Sequence, residues 1–153
     1  MDEGFDIAQC SQVGPTAEPA PDRQSEPPLL KGGKPIRVLI AEDDAVTALA
    51  YSLTIQDLGA ELVGIADNAR DTVAAARTTR PDVVLMDVGL KGDIDGIDTA
   101  HSIRAQFAIP IVFVTGHGDY ETYTRVRDAG SALPVIKPVS PNELVNAIAR
   151  ACF

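Results

Sequence analysis

The chain has 153 residues and carries 22 acidic against 13 basic side chains, a formal charge of −9. That length suits one domain of ordinary size with room for a hydrophobic core, and the apolar share of 45% is that of a globular protein. The negative balance argues against a polyanion-binding surface, so no direct nucleic-acid contact is expected, and no apolar run approaches the ~20 residues of a membrane helix.

The N-terminus, Met-Asp-Glu-Gly-Phe-Asp, lacks the basic and apolar regions of a secretory signal. Cys10 and Cys152 sit near opposite ends of the chain and read as reduced thiols rather than as a disulfide framework. A cytoplasmic location is therefore expected. Residues 1–34 hold five of the eleven prolines, and their large apolar residues are only Phe5, Ile7, Val13, Leu29 and Leu30. Such a segment buries too little apolar surface to offset the entropy of ordering. It is predicted to be a disordered Pro-rich tail ending in Lys31-Gly32-Gly33-Lys34, with a docking peptide as its functional alternative. A single domain is expected over 35–153.

From Ile36 the pattern alternates. Ile36 to Ala41 is a short, mostly apolar, β-branched run and reads as a buried strand. Ala45 to Leu58 reads as a helix, with Val46, Leu49, Leu53 and Leu58 near one face and Gly59 as its stop. Glu61 to Ala66 is a second strand, followed by a helix capped by Asp67 or Asn68 and running to about Thr79. Val83 to Met86 is the third strand and leads into Asp87, with a Gly- and Asp-rich loop over 88–95. Ile97, Ala100, Ile103 and Phe107 space a third helix; Ile111 to Val114 form a fourth strand ending at Thr115. Tyr123, Val126 and Ala129 mark a fourth helix closed by Gly130, and Val135-Ile136 is a short fifth strand ending at Lys137-Pro138. Ser140-Pro141-Asn142-Glu143 opens the last helix with a capping box and a proline at its first position.

Five strand–helix pairs with short connections imply an α/β fold: a doubly wound parallel sheet covered on both faces by right-handed crossovers. The functional crevice of such a sheet lies beyond the carboxyl ends of its strands. Those ends carry Glu42-Asp43-Asp44, Asp87, Thr115 and Lys137, while Asp67 reads only as a cap. Taken singly, each has a structural explanation as a turn residue, a cap, a strand end or a solvated charge, and Asp44 reads as the N-cap of the first helix. Together they place three carboxylates at one mouth, where they would repel one another unless a cation offset them. Oxygen-only ligands point to a hard cation, and Mg²⁺ suits few carboxylates plus phosphate and water. A carboxylate can itself be phosphorylated as the nucleophile, and a lysine and a hydroxyl beside it would spread the charge of a transferred phosphoryl group.

On these residues the chain resembles the receiver domains of two-component response regulators, over residues 36–152. The resemblance rests on the acidic cluster of Val38 to Asp44, on Asp-Val-Val-Leu-Met-Asp ending at Asp87, and on Asp95-Gly96, Thr115 and Lys137-Pro138. The spacings match as well: 44 residues from Asp43 to Asp87, 28 on to Thr115 and 22 on to Lys137. It implies a flavodoxin-like sheet of order 2-1-3-4-5, the order that general treatments of this fold illustrate with the chemotaxis receiver. It implies that Asp87 accepts a phosphoryl group from the phosphohistidine of a sensor histidine kinase or a histidine phosphotransfer protein. Asp43 and Asp87 would bind Mg²⁺ directly, Glu42 through a water, and Gly89 through its backbone carbonyl. Thr115 and Lys137 would contact phosphoryl oxygens, with a cis peptide before Pro138. Formal charges of the acids, Mg²⁺ and Lys137 then cancel.

Two departures stand out. The position three before the lysine, usually aromatic in the family, is Pro134, which puts the usual threonine–aromatic coupling in doubt. The loop after Asp87 is one residue longer than the commonest form and lacks its proline. Pro110 to Gly118 partly resembles the single-domain receivers nicknamed FAT GUY. His101 reads as a surface residue and His117 as a rim residue of the site. The chain stops after the last helix, so readout by protein–protein contact or onward phosphotransfer, without an output domain, is the expectation. An aspartyl-phosphate phosphatase is disfavoured because position 89 is Gly rather than a second acid, which leaves a phosphorylation-independent interaction module as the alternative.

Overall fold

A computed structural model of the protein describes residues 29–131 and 133–153. Within them a two-stranded hairpin, β1 (Leu30–Lys31) and β2 (Lys34–Pro35), precedes five parallel strands: β3 (Arg37–Ala41), β4 (Glu61–Ala66), β5 (Val83–Asp87), β6 (Ile111–Thr115) and β7 (Val135–Ile136). The order across the large sheet is β4-β3-β5-β6-β7, the doubly wound order expected, and every pairing in it is parallel. Five helices connect or follow them: α1 (Ala45–Asp57), α2 (Ala69–Thr79), α3 (Gly96–Gln106), α4 (Tyr120–Asp128) and α5 (Pro141–Cys152).

Period-2 alternation along the central strands divides the core in two. Val38, Ile40, Val83, Leu85, Val112 and Val114 face one side, where they pack with Ala48, Tyr51 and Ile55 of α1 and Leu144 and Ile148 of α5. Leu39, Ala41, Val84, Met86, Ile111 and Phe113 face the other, against residues of α2, α3 and α4. Burial on both faces is why these strands read as continuous apolar runs rather than as alternating ones.

The helix starts are held by their predicted caps. Asp44 accepts from the Val46 and Thr47 amides, Asn68 from Asp71, and Ser140 from Glu143, whose carboxylate returns a bond from the Ser140 amide. Asp95 and Asp119, not singled out as caps in the sequence, hold α3 and α4 in the same way. Gly96 is fixed by crowding: a Cβ there would collide with the Asp87 carbonyl oxygen.

Three expectations are corrected. Residues 29–34, assigned to the tail, belong to the folded unit: Leu29 is buried in the core, donates to the Leu58 carbonyl and accepts from the Ile36 amide. Its single large apolar side chain fills a gap at the end of α1, which a search for a repeating period does not detect. Residues 1–28 lie outside the described residues. On α1, the expected face of Val46, Leu49 and Leu53 points outward, 77%, 57% and 54% exposed, while Ala48, Tyr51, Ser52 and Ile55 pack inward. This helix carries no charge before Asp57, so its pattern offers two apolar stripes, and packing of Ala48, Tyr51 and Ile55 with the strand residues selects one. Phe107 ends α3 as an extended C-cap residue rather than continuing the helix.

Candidate functional site

The carboxyl ends of β3, β5, β6 and β7 converge on one mouth. Glu42 follows β3 and is 3% exposed, its amide bonded to the Ala66 carbonyl. Asp87 closes β5 and is 7% exposed; Thr115 closes β6 at 3%. Lys137 follows β7, its amide held by the Thr115 carbonyl at 2.8 Å, and the Lys137–Pro138 peptide is cis. Strand ends are where backbone pairing stops, so these side chains are fixed by the sheet yet face the crevice.

Lys137 ties the mouth together. Its Nζ lies 3.0 Å from Glu42 Oε2 and 3.3 Å from Asp87 Oδ2. The second oxygens are also held: Glu42 Oε1 accepts from the Asp44 amide at 3.1 Å, and Asp87 Oδ1 from the Gly89 amide at 3.0 Å. Glu42, Asp43 and Asp87 each offer a carboxylate oxygen, all within 4.8 Å of one another. Lys137 thus pairs with two of these acids, and their crowded, buried setting shows in Glu42. Burial, together with the nearby charge of Asp87, pushes its carboxyl up to about 7 despite the bonds from Lys137 and Asp44. The Lys137 ammonium is pushed up too: burial opposes its charge, and Glu42 and Asp87 outweigh burial. An all-oxygen cluster short of positive charge is what a hard divalent cation fits.

The adjacent acids divide as expected. Asp43 lies in the cluster and faces Lys91 of the β5–α3 loop at 4.0 Å, whereas Asp44 is exposed and serves the helix. The Thr115 hydroxyl accepts from the His117 amide at 3.0 Å and contacts the His117 carbonyl at 3.3 Å, so it is engaged within its own loop. His117 and His101 are both exposed. Pro134 is buried immediately before β7, which is only two residues long.

Sequence reasoning missed three neighbours of the mouth. Lys91 came from a loop read only for its glycines and acids. Tyr51 is buried on α1 close enough to Lys137, Glu42 and Asp87 to feel their charges, with burial the main cause of its raised hydroxyl pKa. Arg125 of α4 reaches across to Asp95 at 2.7 Å, pinning the far end of the β5–α3 loop. None has a motif; each depends on pairing between distant segments.

The family model for the response regulator receiver domain matches residues 38–149. The chain is 38% identical over 117 residues to the transcriptional regulatory protein PdtaR of Mycobacterium tuberculosis, covering 76% of this chain and 57% of that one. It is 33% identical over 109 residues to the DNA-binding response regulator MtrA of Mycolicibacterium paratuberculosis, covering 71% of this chain and 48% of the relative. The chain thus spans about half the length of these relatives. Among solved structures, the signal receiver domain of a modulated diguanylate cyclase from Desulfovibrio desulfuricans superposes with a TM-score of 0.71 at 33% identity, covering 78% of this chain and 94% of that one. The chemotaxis protein CheY4 of Vibrio cholerae superposes with a TM-score of 0.70 at 27% identity, covering 76% and 98%. These matches reach the receiver family and not the FAT GUY subgroup within it. With the sheet order, the acids at the strand ends and the lysine joining them, they establish that this chain belongs to the response regulator receiver domain family of two-component systems.

Proposed function

We propose that Asp87 is the phosphoacceptor of this receiver. The observation that carries the reading is the Asp87 carboxylate itself: 7% exposed, oriented by the Gly89 amide and by Lys137, and flanked by Glu42 and Asp43. A carboxylate oxygen of Asp87 attacks the phosphorus of a phosphohistidine on a sensor kinase or phosphotransfer protein. The P–N bond breaks, and the imidazole nitrogen leaves with the electron pair and takes up a proton from solvent. Glu42, Asp43, Asp87 and the Gly89 carbonyl would hold Mg²⁺, which when bound supplies the charge balance that three acids and one lysine lack. Lys137 pairs with a phosphoryl oxygen as its hold on Asp87 Oδ2 is given up. The Thr115 hydroxyl leaves its contacts with His117 to donate to another phosphoryl oxygen, gaining a charge-assisted bond. The output is a protein–protein contact or onward phosphotransfer in the cytoplasm.

Incubation with acetyl phosphate and Mg²⁺ should add one phosphoryl group to the intact mass. Asp87→Asn should not gain it, and EDTA should prevent it in the parent chain. A label mapped to another residue of Asp87→Asn would sink the assignment. No uptake by the parent, with Mg²⁺ binding intact, would favour the phosphorylation-independent interaction module instead.

A further inference from the structure

A second concave surface lies away from the acidic mouth. Because β7 pairs with β6 only at Val114 and Thr115, the rest of the β6 edge opens into a groove of about 520 Å³ between that edge and α5. Leu133, Val135, Ile136 and Ala147 supply apolar surface, and Arg104 and Arg150 supply two guanidinium groups. Arg104 comes from α3 and crosses over Gly130, whose φ of 77° and missing Cβ leave it room: a Cβ there would meet the Arg104 Nη1. Its Nε is buried without a hydrogen-bond partner. Neither arginine forms an ion pair among the described residues, whereas Glu143, the acid at the rim, is engaged with the Ser140 amide. A buried donor without a partner is unfavourable, so the groove favours an occupant that is both acidic and apolar.

We propose that residues 1–8 of this chain, Met-Asp-Glu-Gly-Phe-Asp-Ile-Ala, dock in this groove, with Phe5 and Ile7 against its apolar wall and Asp2, Glu3 and Asp6 toward Arg104 and Arg150. Complementarity of charge is the first argument. Residues 1–28 hold six acidic side chains and one basic one, Arg23, while the groove offers two guanidinium groups without an ion pair among the described residues, on an otherwise acidic protein. Position is the second. The chain enters the folded unit at Leu29, which packs in the same cluster as Ala151 and Cys152 of the last turn of α5, and Ala151 also lines the groove. The entry point and the groove thus border one hydrophobic cluster. Reach is the third: twenty residues, 9–28, lie between the segment and Leu29, and at ~3.1 Å per residue a Pro-rich linker of that length can span roughly 60 Å. Tethering makes docking intramolecular, so two apolar anchors and a few charge contacts suffice. The proposal is independent of the phosphoacceptor reading, since it uses none of the mouth residues.

Cys10 gives a label site beside the docked segment. In the full chain with Cys152→Ser, a nitroxide on Cys10 should broaden the amides of Gly130, Val135, Ala147 and Arg150 more than any others. Phe5→Ser with Ile7→Ser should abolish that broadening without touching the folded unit. Arg104→Gln with Arg150→Gln, or high salt, should weaken it. Uniform weak broadening, or broadening centred on Val46, Leu49 and Leu53, would overturn the proposal. So would broadening seen only between labelled and unlabelled copies in a mixture, which would assign the groove to a second copy.

Discussion

At the residue scale, Glu42, Asp43 and Asp44 are three consecutive acids with three different duties. Glu42 is buried against Lys137, Asp43 faces the mouth, and Asp44 is turned to the Val46 and Thr47 amides. A substitution that keeps shape but removes charge should separate the last two. Asp43→Asn is expected to weaken Mg²⁺ binding strongly, whereas Asp44→Asn should leave it nearly unchanged, since Asn caps as well as Asp. Asp44→Ala should instead lower stability through loss of the cap. A metal titration and a denaturant series on the three variants check this, and stronger metal loss in Asp44→Asn would mean that the acids are assigned one position out of register. Leu29 makes a comparable point outside the site. Truncating this buried side chain to Ala should cost roughly 2–3 kcal/mol, lowering the thermal midpoint by several degrees, and deletion of residues 1–33 should cost at least as much because it takes Leu29 away. A midpoint unchanged by either would show that the hairpin is not part of the cooperative unit.

At the element scale, the β5–α3 loop is held at both ends. Asp87 and Gly89 fix its start, and Arg125 of α4 grips Asp95 at its end, with Asp98 at 3.8 Å. Part-burial alone would push the Asp95 carboxyl up, but bonds from the Asp98 amide and Arg125 hold it below its usual value. A carboxyl lowered on folding contributes stability above its unfolded pKa, and that contribution is lost as pH falls through the folded value. Arg125→Gln should therefore cost about 0.5–1 kcal/mol near neutral pH, a partly exposed pair being discounted for solvent. The difference from the parent should vanish in acid, below the ~3.9 of a free Asp. Thermal midpoints of both chains across pH test it, and a constant difference into acid would assign Arg125 a packing role. This pair illustrates what the chain does and does not disclose when read linearly. The strands were legible because burial on both faces leaves runs such as Val83 to Met86, and the caps because each needs a particular residue within three positions. The mouth was legible because residues at strand ends must share one edge of a parallel sheet. The Asp95–Arg125 pair, the inward face of α1 and the packing of Leu29 were not, because each is decided by a neighbour distant in sequence, such as 30 residues for Arg125 and Asp95.

At the scale of the whole molecule, the site is a stability element as well as a chemical one. Glu42, Asp43 and Asp87 crowd one mouth, so a cation bound there only by the folded state should stabilise the fold. At Mg²⁺ a hundredfold above its dissociation constant, the gain is expected to be about 2.7 kcal/mol, read as a rise in thermal midpoint that EDTA reverses and Asp43→Asn largely removes. An equal rise in Asp43→Asn would place the ion elsewhere. The bond that closes the mouth joins Lys137 to Glu42 across 95 positions of sequence, from one side of the sheet to the strand beside its opposite edge. During synthesis, the first carboxylates are therefore made long before the ammonium that will neutralise them. A nascent chain ending short of β7 has Asp87 but neither Lys137 nor the hydrogen bond that the Lys137 amide gives the Thr115 carbonyl. On the phosphoacceptor reading, competence to receive a phosphoryl group therefore waits for β7 and Lys137, and a copy cut before Lys137 would not compete with one that contains it for the donor's phosphoryl group.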